Sequence, residues 1–130
     1  MKKSNVPHGS CCNGEIYRVR IQDGCFLGDQ IRVASGFGSR LKGLLGTRDL
    51  PTGHGLFLVP CQSIHMFFMS IPLDVAFVDS AGFVVALVSR IRPWRMSRMY
   101  PLALGALELP AGTFESAGLK KGDRLVFLKE

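Results

Sequence analysis

The stretch "PLDVAFVDSAGFVVALVSRI", Pro72–Ile91, contains two apolar runs joined by a short polar link. Both runs are rich in valine, leucine and phenylalanine, the composition typical of buried β-strands. The link "DSAG", Asp79–Gly82, has the residue types that form tight turns. The stretch therefore predicts two consecutive strands joined by a turn.

Short apolar or alternating segments of the same kind recur along the chain: "EIYRVRI", "CFLGDQIRVA", "GLFLVP", "SIHMFFM", "LGALEL" and "RLVFL". Fifteen glycines and seven prolines indicate many turns between them. Two brief helices are predicted, one capped by Ser39 and one around residues 114–117 that ends at Gly118. The sequence thus predicts a mainly β fold, a small β-barrel or sandwich of about seven or eight short strands with two short helices.

A chain of 130 residues with 47% hydrophobic and 20% charged residues has the size and composition of one globular domain. Residues 1–14 are polar and lack periodicity, so we expect a disordered tail followed by a single β domain over residues 15–130. No apolar run approaches the roughly 18 residues that cross a bilayer. The N-terminal residues also lack the apolar segment of a signal peptide, so we expect a cytoplasmic protein.

The four cysteines are not spaced as a zinc ribbon or a CxxC pair, and without an export signal they are expected to be thiols. Cys11 and Cys12 lie near His8 and could bind a soft metal. One short run seldom supplies a complete tetrahedral ligand set, however. We therefore predict no metal and no cofactor.

Three longer segments are similar to a known family: "RLKGLLGTRDLPTGHGLFLVPCQSIHMFFMSIPLDVAFVD", "GFVVALV" and "ALELPAGTFESAGLKKGDRL". Together they resemble the bacterial and archaeal family called domain of unknown function 192, over roughly residues 40–127. The centre resembles a branch with a PC-x-SIH motif, and the chain departs from that branch at Met66, Phe68 and Ser70. The resemblance implies a small, mostly β fold with short helices, and it implies no activity.

Several polar residues lie among apolar ones and are candidates for a ligand site: Cys61, Ser63, His65, Asp74, Arg95 and Glu108. Asp74 is the most informative, because a buried ionised carboxylate costs several kcal/mol unless it is paired and hydrogen-bonded. Its possible partners are His65, Arg48, Arg95 or backbone amides. Asp74 and Glu108 could form an acid/base site near a histidine and an arginine, or structural pairs that fix strand register.

Cys61, His65 and Met69 recur every four residues, which on a helix would stack them on one face as a copper(I) site. On a strand the same step spans about 13 Å, so one metal could not be chelated by the side chains of this strand alone. A metal site would need ligands from elsewhere in the chain. A hydrolase-like enzyme using Cys61 or His65 with Asp74 is one alternative. The other is that the thiol and the imidazole are ordinary core side chains.

The net charge of +6 is compatible with nucleic acid, an anionic membrane surface or an acidic ligand. The segment "SRIRPWRMSR" is the densest in positive charge and supplies three anion-binding candidates, Arg90, Arg92 and Arg98. Trp94 could stack on a base there, although no RNA-binding signature is present, so nucleic acid is disfavoured. The alternative is a solvated basic strand end in which Trp94 covers the core.

These observations favour a cytoplasmic binding module without catalysis, whose partner is a small ligand or a protein. The predicted site combines His65, Asp74, Glu108 and Arg95 at one mouth of the barrel. The alternatives are the hydrolase-like enzyme and an anion or nucleic-acid binder acting through the arginine segment.

Overall fold

The computed structural model describes residues 6–8, 12–35, 50–64 and 71–130. Their strands form one sheet that curls into a half-barrel, which confirms the predicted mainly β fold. The strands are β1 Ile16–Ile21, β2 Phe26–Ala34, β3 His54–Leu58, β4 Leu73–Val78, β5 Val84–Ile91, β6 Gly105–Pro110 and β7 Leu125–Lys129, and the helix is α1 Thr113–Ala117.

The strand order across the sheet is β5-β4-β6-β3-β2-β1-β7. Neighbouring strands are antiparallel except for β2 and β3, which are parallel and joined by a long connection. The two edge strands meet at one end, where Phe83 and Arg124 form a β-bridge. Beside the bridge, the N–H of Val84 donates to the carbonyl of Asp123 at 2.8 Å. The two edges of the curled sheet are therefore in contact at this end.

The inner face of the curled sheet holds the larger core. Phe57 and Phe127 pack there with ring centroids 4.9 Å apart, and Phe114 of α1 fills the same core. Val6 also lies in this core, 5% exposed, although it belongs to the segment expected as a tail. The N–H of Gly14, in the same segment, donates to the carbonyl of Val33.

The outer face of the sheet is also buried, at its centre. One row of paired residues crosses this face in the order Arg32, Leu56, Glu108, Val75 and Val88. Ile64 and Ala103, from the connections between strands, cover part of the face, and the ring of Tyr100 packs 4.7 Å from that of Phe77. Burial on both faces explains why all six residues of β4 are buried and why its sequence reads as a continuous apolar run.

The predicted elements compare well with the described ones. The helix ending at Gly118 is confirmed, and Gly118 has the left-handed φ of 70° that favours glycine there. Ser63 and Ile64, at the start of the predicted strand "SIHMFFM", are not in a strand. The remainder of that predicted strand, residues 65–69, lies outside the described residues. The predicted helix capped by Ser39 lies outside them as well.

Gly55 sits where β3 and β6 approach closely, so we expect Gly55→Ala to destabilise the fold. A Cβ at this position would lie 2.5 Å from the carbonyl oxygen of Glu108 and 2.6 Å from Cδ2 of Leu109. Such overpacking costs about 1–3 kcal/mol of unfolding free energy, measurable by urea denaturation. The exposed Ser80→Ala is the control, expected to change stability by about 0.5 kcal/mol or less. Equal stability of the two variants would contradict the close approach.

Candidate functional site

Asp74 is buried, 1% exposed, and its carboxylate is held by backbone amides. Its Oδ1 accepts a hydrogen bond from the N–H of Arg90 at 2.8 Å. Its Oδ2 accepts hydrogen bonds from the N–H groups of Gly112 and Phe114, both at 3.0 Å. Three N–H donors compensate the buried negative charge, which is the condition that burial of a carboxylate requires.

The first of these bonds stabilises a β-bulge. Leu73 pairs with Ile91 whereas Val75 pairs with Val88, so β5 has one extra residue opposite Asp74. Arg90 lies in this bulge and has a φ of 54°, in the left-handed region that non-glycine residues seldom adopt. The carboxylate of Asp74 holds the N–H of Arg90 in that conformation and thereby fixes the direction of its side chain.

The other two bonds hold the start of α1. Gly112 immediately precedes the helix with a φ of 93°, and its N–H and that of Phe114 point to the same carboxylate oxygen. A helix of five residues is not stable by itself, so its position depends on such contacts and on the buried ring of Phe114. Asp74 therefore ties the end of β5 to the start of α1.

A cavity of about 800 Å³ lies between these two elements and the start of β2. This volume is within the range of small-molecule sites. Its described lining comes from four parts of the chain: residues 25–27, Thr52, Arg90 and residues 110–117 other than Phe114. Cys61, Ser63, Arg95 and Glu108 are not among these lining residues.

Arg90 is the cation among the described lining residues of this cavity. One guanidinium nitrogen, Nη2, donates to Oε2 of Glu115 at 3.2 Å, and both side chains are largely exposed, 59% and 80%. A Cβ at Gly112 would lie 3.3 Å from the same nitrogen, so the guanidinium lies against the backbone of that residue. Exposed ion pairs contribute about 0–1 kcal/mol, so Glu115 can leave Arg90 at little cost.

Glu108 lies on the opposite face of the sheet from Asp74. Asp74 pairs with Leu109, and Glu108 pairs with Val75, so their side chains point to opposite faces. The structure therefore does not bring the two carboxyl groups into one site. Glu108 is 6% exposed and lies in the buried row of the outer face, between Leu56 and Val75. Burial raises the pKa of its carboxyl group to about 8.

Cys61 and Ser63 follow β3 and lie beside the outer face. The thiol of Cys61 packs against the outer core and donates to the carbonyl of Ser63 at 3.0 Å. Asp74 points to the inner core, so the structure does not place Cys61 and Asp74 together. His65, the other residue of the hydrolase-like alternative, lies outside the described residues, as do Arg48, Met69 and Cys11.

The arginines that were grouped by sequence separate in the structure. Arg90 belongs to the cavity, whereas Arg92, Arg95 and Arg98 lie on an exposed segment after β5. Trp94 in that segment is 59% exposed, so the interpretation that it covers the core is wrong. Its φ of 67°, directly after Pro93, lies in the left-handed region that non-glycine residues seldom adopt.

Most of the cavity lining was not among the predicted site residues, in particular residues 25–27, Thr52 and the segment before α1. One feature of the sequence indicated this part of the structure. A carboxylate in an apolar strand must have donors, and the turn "PAG" before a short helix offers free backbone amides.

Comparison with known proteins identifies the family of the chain. The family profile described as "Uncharacterized ACR" matches residues 19–127. The chain belongs to the domain of unknown function 192 family. This match confirms the resemblance read from the sequence, and the name of the family assigns no activity.

Two archaeal proteins that are similar to this chain are called UPF0127 proteins. The one from Thermococcus sibiricus is 34% identical over 101 residues, which are 74% of this chain and 64% of that protein. The one from Pyrococcus horikoshii is also 34% identical over 101 residues, and the match covers 85% of its length. The chain thus spans less than two thirds of the Thermococcus protein.

Two solved structures have the same fold. A crystal structure from Sinorhizobium meliloti, named as a candidate transcription regulator, has a TM-score of 0.76 and 26% identity; the match covers 88% of this chain and 95% of that one. A protein of unknown function from Novosphingobium aromaticivorans has a TM-score of 0.74 and 21% identity, with 92% and 90% covered. At 21% identity, the similarity to the Novosphingobium protein shows a common fold and nothing more. Within the described ranges, no helix is long and apolar enough to cross a lipid bilayer.

Proposed function

We propose that the protein is a non-catalytic binding module that holds a small organic acid or phosphate ester in the cavity beside Arg90. The observation that carries this proposal is the carboxylate of Asp74, which bonds the N–H groups of Arg90, Gly112 and Phe114. Two walls of the cavity are thereby held in a fixed relation before any ligand arrives. Such preorganisation lowers the cost of binding.

The lining supports an anionic ligand. A guanidinium has five N–H donors in a planar fork that matches carboxylate and phosphate oxygens, and Arg90 uses one nitrogen for the exposed Glu115. Thr52 and Ser116 add hydroxyl groups that can bond to the polar part of a ligand. Phe26 and Ala117 supply apolar surface for its carbon skeleton.

Binding rather than catalysis is supported by the surroundings of Cys25, the thiol of the cavity. Its Sγ donates to the carbonyl of Ala117 at 3.6 Å. Covalent catalysis by a thiol needs an adjacent base, most often a histidine. The described lining contains no histidine.

The proposal predicts that a panel of carboxylates and phosphate esters contains compounds that raise the melting temperature of the full chain. A ligand at one hundred times its Kd stabilises the folded state by about 2.7 kcal/mol, which corresponds to roughly 10 °C for a domain of this size. Metals, neutral sugars and amines are measured in the same panel. We expect Arg90→Gln to weaken the binding of active acids at least tenfold.

Arg92→Gln is the matched control, because it removes the same charge outside the cavity and should leave binding unchanged. Glu115→Gln should bind the acids as tightly as the natural chain or more tightly, since it removes a competitor for Arg90. Failure of every acid to raise the melting temperature would refute the proposal. So would equal loss of binding in Arg90→Gln and Arg92→Gln.

A further inference from the structure

Residues 92–102, between β5 and β6, expose large apolar side chains together with arginines. We call this segment the basic apolar loop. Four of its large apolar side chains are mostly exposed: Trp94 59%, Met96 66%, Met99 65% and Leu102 80%. Its three arginines, Arg92, Arg95 and Arg98, are exposed as well. None of the three forms an ion pair with another described residue.

The backbone of the basic apolar loop is anchored to the segment that follows β3. The N–H of Ser97 donates to the carbonyl of Ile64 at 2.7 Å, and the N–H of Ile64 donates to Oγ of Ser97 at 2.8 Å. The N–H of Tyr100 donates to the carbonyl of Gln62 at 2.8 Å, while its ring packs on Phe77. These hydrogen bonds hold the backbone of the loop at Ser97 and Tyr100, and the exposed apolar side chains lie close to these two anchors in the chain.

The exposure of these side chains decides between possible partners. Apolar side chains that are 59–80% exposed protrude from the surface and do not form a groove that could receive part of a folded partner. Nucleic acid could stack on Trp94 and bind the arginines, but it would leave Met96, Met99 and Leu102 in water. A fluid bilayer interface accommodates protruding apolar side chains, tryptophan at headgroup depth and arginines at lipid phosphates.

We propose that the basic apolar loop binds peripherally to the surface of an anionic lipid membrane. Trp94, Met96, Met99 and Leu102 would enter the interface, and Arg92, Arg95 and Arg98 would contact lipid phosphates. The net charge of +6 favours the approach to such a surface. This activity is separate from the cavity beside Arg90 and does not depend on it.

The test uses the full chain and vesicles of phosphatidylcholine with or without about one third phosphatidylserine, the anionic lipid typical of such surfaces. Trp94 is the only tryptophan, so the emission of the protein reports directly on this loop. We expect co-sedimentation with the anionic vesicles, a blue shift of the emission on binding, and weaker binding at high salt. Neutral vesicles should bind much less.

Two matched double variants separate a local contact from general attraction by charge. Arg95→Gln with Arg98→Gln removes two charges from the loop, and Lys120→Gln with Lys121→Gln removes two exposed charges elsewhere. Because each basic residue at the surface contributes about 1 kcal/mol, the first variant should bind at least tenfold more weakly. The second should bind nearly as well as the natural chain, and both should melt at the same temperature.

Three outcomes with vesicles, and one with DNA, would overturn the proposal. The first is no binding to anionic vesicles at low salt. The second is equal weakening by the two double variants, which would mean long-range attraction without a docking surface. The third is binding without a change in Trp94 emission. A duplex DNA added at the same charge concentration should not compete strongly, and preferential binding to DNA would assign the loop to nucleic acid instead.

Discussion

Replacing Asp74 by alanine is expected to lower the free energy of unfolding by about 3–5 kcal/mol, because three backbone N–H donors lose their acceptor at once. The substitution leaves the N–H groups of Arg90, Gly112 and Phe114 without their acceptor. A buried donor without a partner costs about 1–3 kcal/mol. The left-handed conformation of Arg90 also loses the contact that holds it. Urea denaturation monitored by circular dichroism measures the change.

Asp79→Ala is the matched control for this prediction. Oδ1 of Asp79 accepts hydrogen bonds from the N–H groups of Ala81 and Phe83, both at 2.9 Å, in the turn between β4 and β5. That turn is at the surface, where water can replace the lost acceptor, so we expect a loss of about 1 kcal/mol. If Asp74→Ala costs no more than Asp79→Ala, the carboxylate of Asp74 does not organise this part of the fold.

Glu108 is expected to make the stability of the protein fall as the pH rises. Its folded pKa of about 8 is above the ordinary value of 4.5. Between these two values the folded state retains a proton that the unfolded state releases, so stability is greatest below about pH 4.5 and is lost progressively towards pH 8. From pH 5 to pH 8 we expect the contribution of this group to fall by about 2–4 kcal/mol.

Glu108→Gln tests this prediction, because glutamine keeps the shape of the side chain and cannot ionise. We expect the variant to be about 2–4 kcal/mol more stable than the natural chain at pH 8 and similar at pH 5. Glu115→Gln removes an exposed carboxylate and should keep the slope of the natural chain. Parallel stability curves for the natural chain and Glu108→Gln would show that Glu108 ionises normally in the folded state.

The strands were predictable because their apolar runs are continuous or alternating, as in β4 and β1. The need of Asp74 for donors was also predictable from its apolar neighbours. Which face each carboxyl group occupies was not, because the register of β4 and β6 pairs Asp74 with Leu109 and Val75 with Glu108. A shift of one residue in this pairing would move each carboxyl group to the opposite face of the sheet. The amino-acid sequence of the two strands does not specify the register by itself.

The cavity was not predictable for a related reason. It depends on the bulge that places Arg90 in a left-handed conformation and on contacts between residues far apart in the chain. Residues 25–27 and 110–117 line the same space although more than half of the chain separates them. Local sequence patterns do not show which distant segments will line the same cavity. The local feature that indicated this one is the carboxylate of Asp74 in an apolar strand.

The β-bridge between Phe83 and Arg124 has a consequence for the behaviour of the protein at high concentration. The edges of an open sheet present unpaired N–H and C=O groups that can recruit the edge of another molecule and start aggregation. Here the two edge strands bond to each other at one end, and the guanidinium of Arg124 lies 5.3 Å from the ring centroid of Phe83 while its Nε donates to the carbonyl of Ala81. The contact shortens the exposed edge and places a charge on it, which disfavours edge-to-edge association between folded chains.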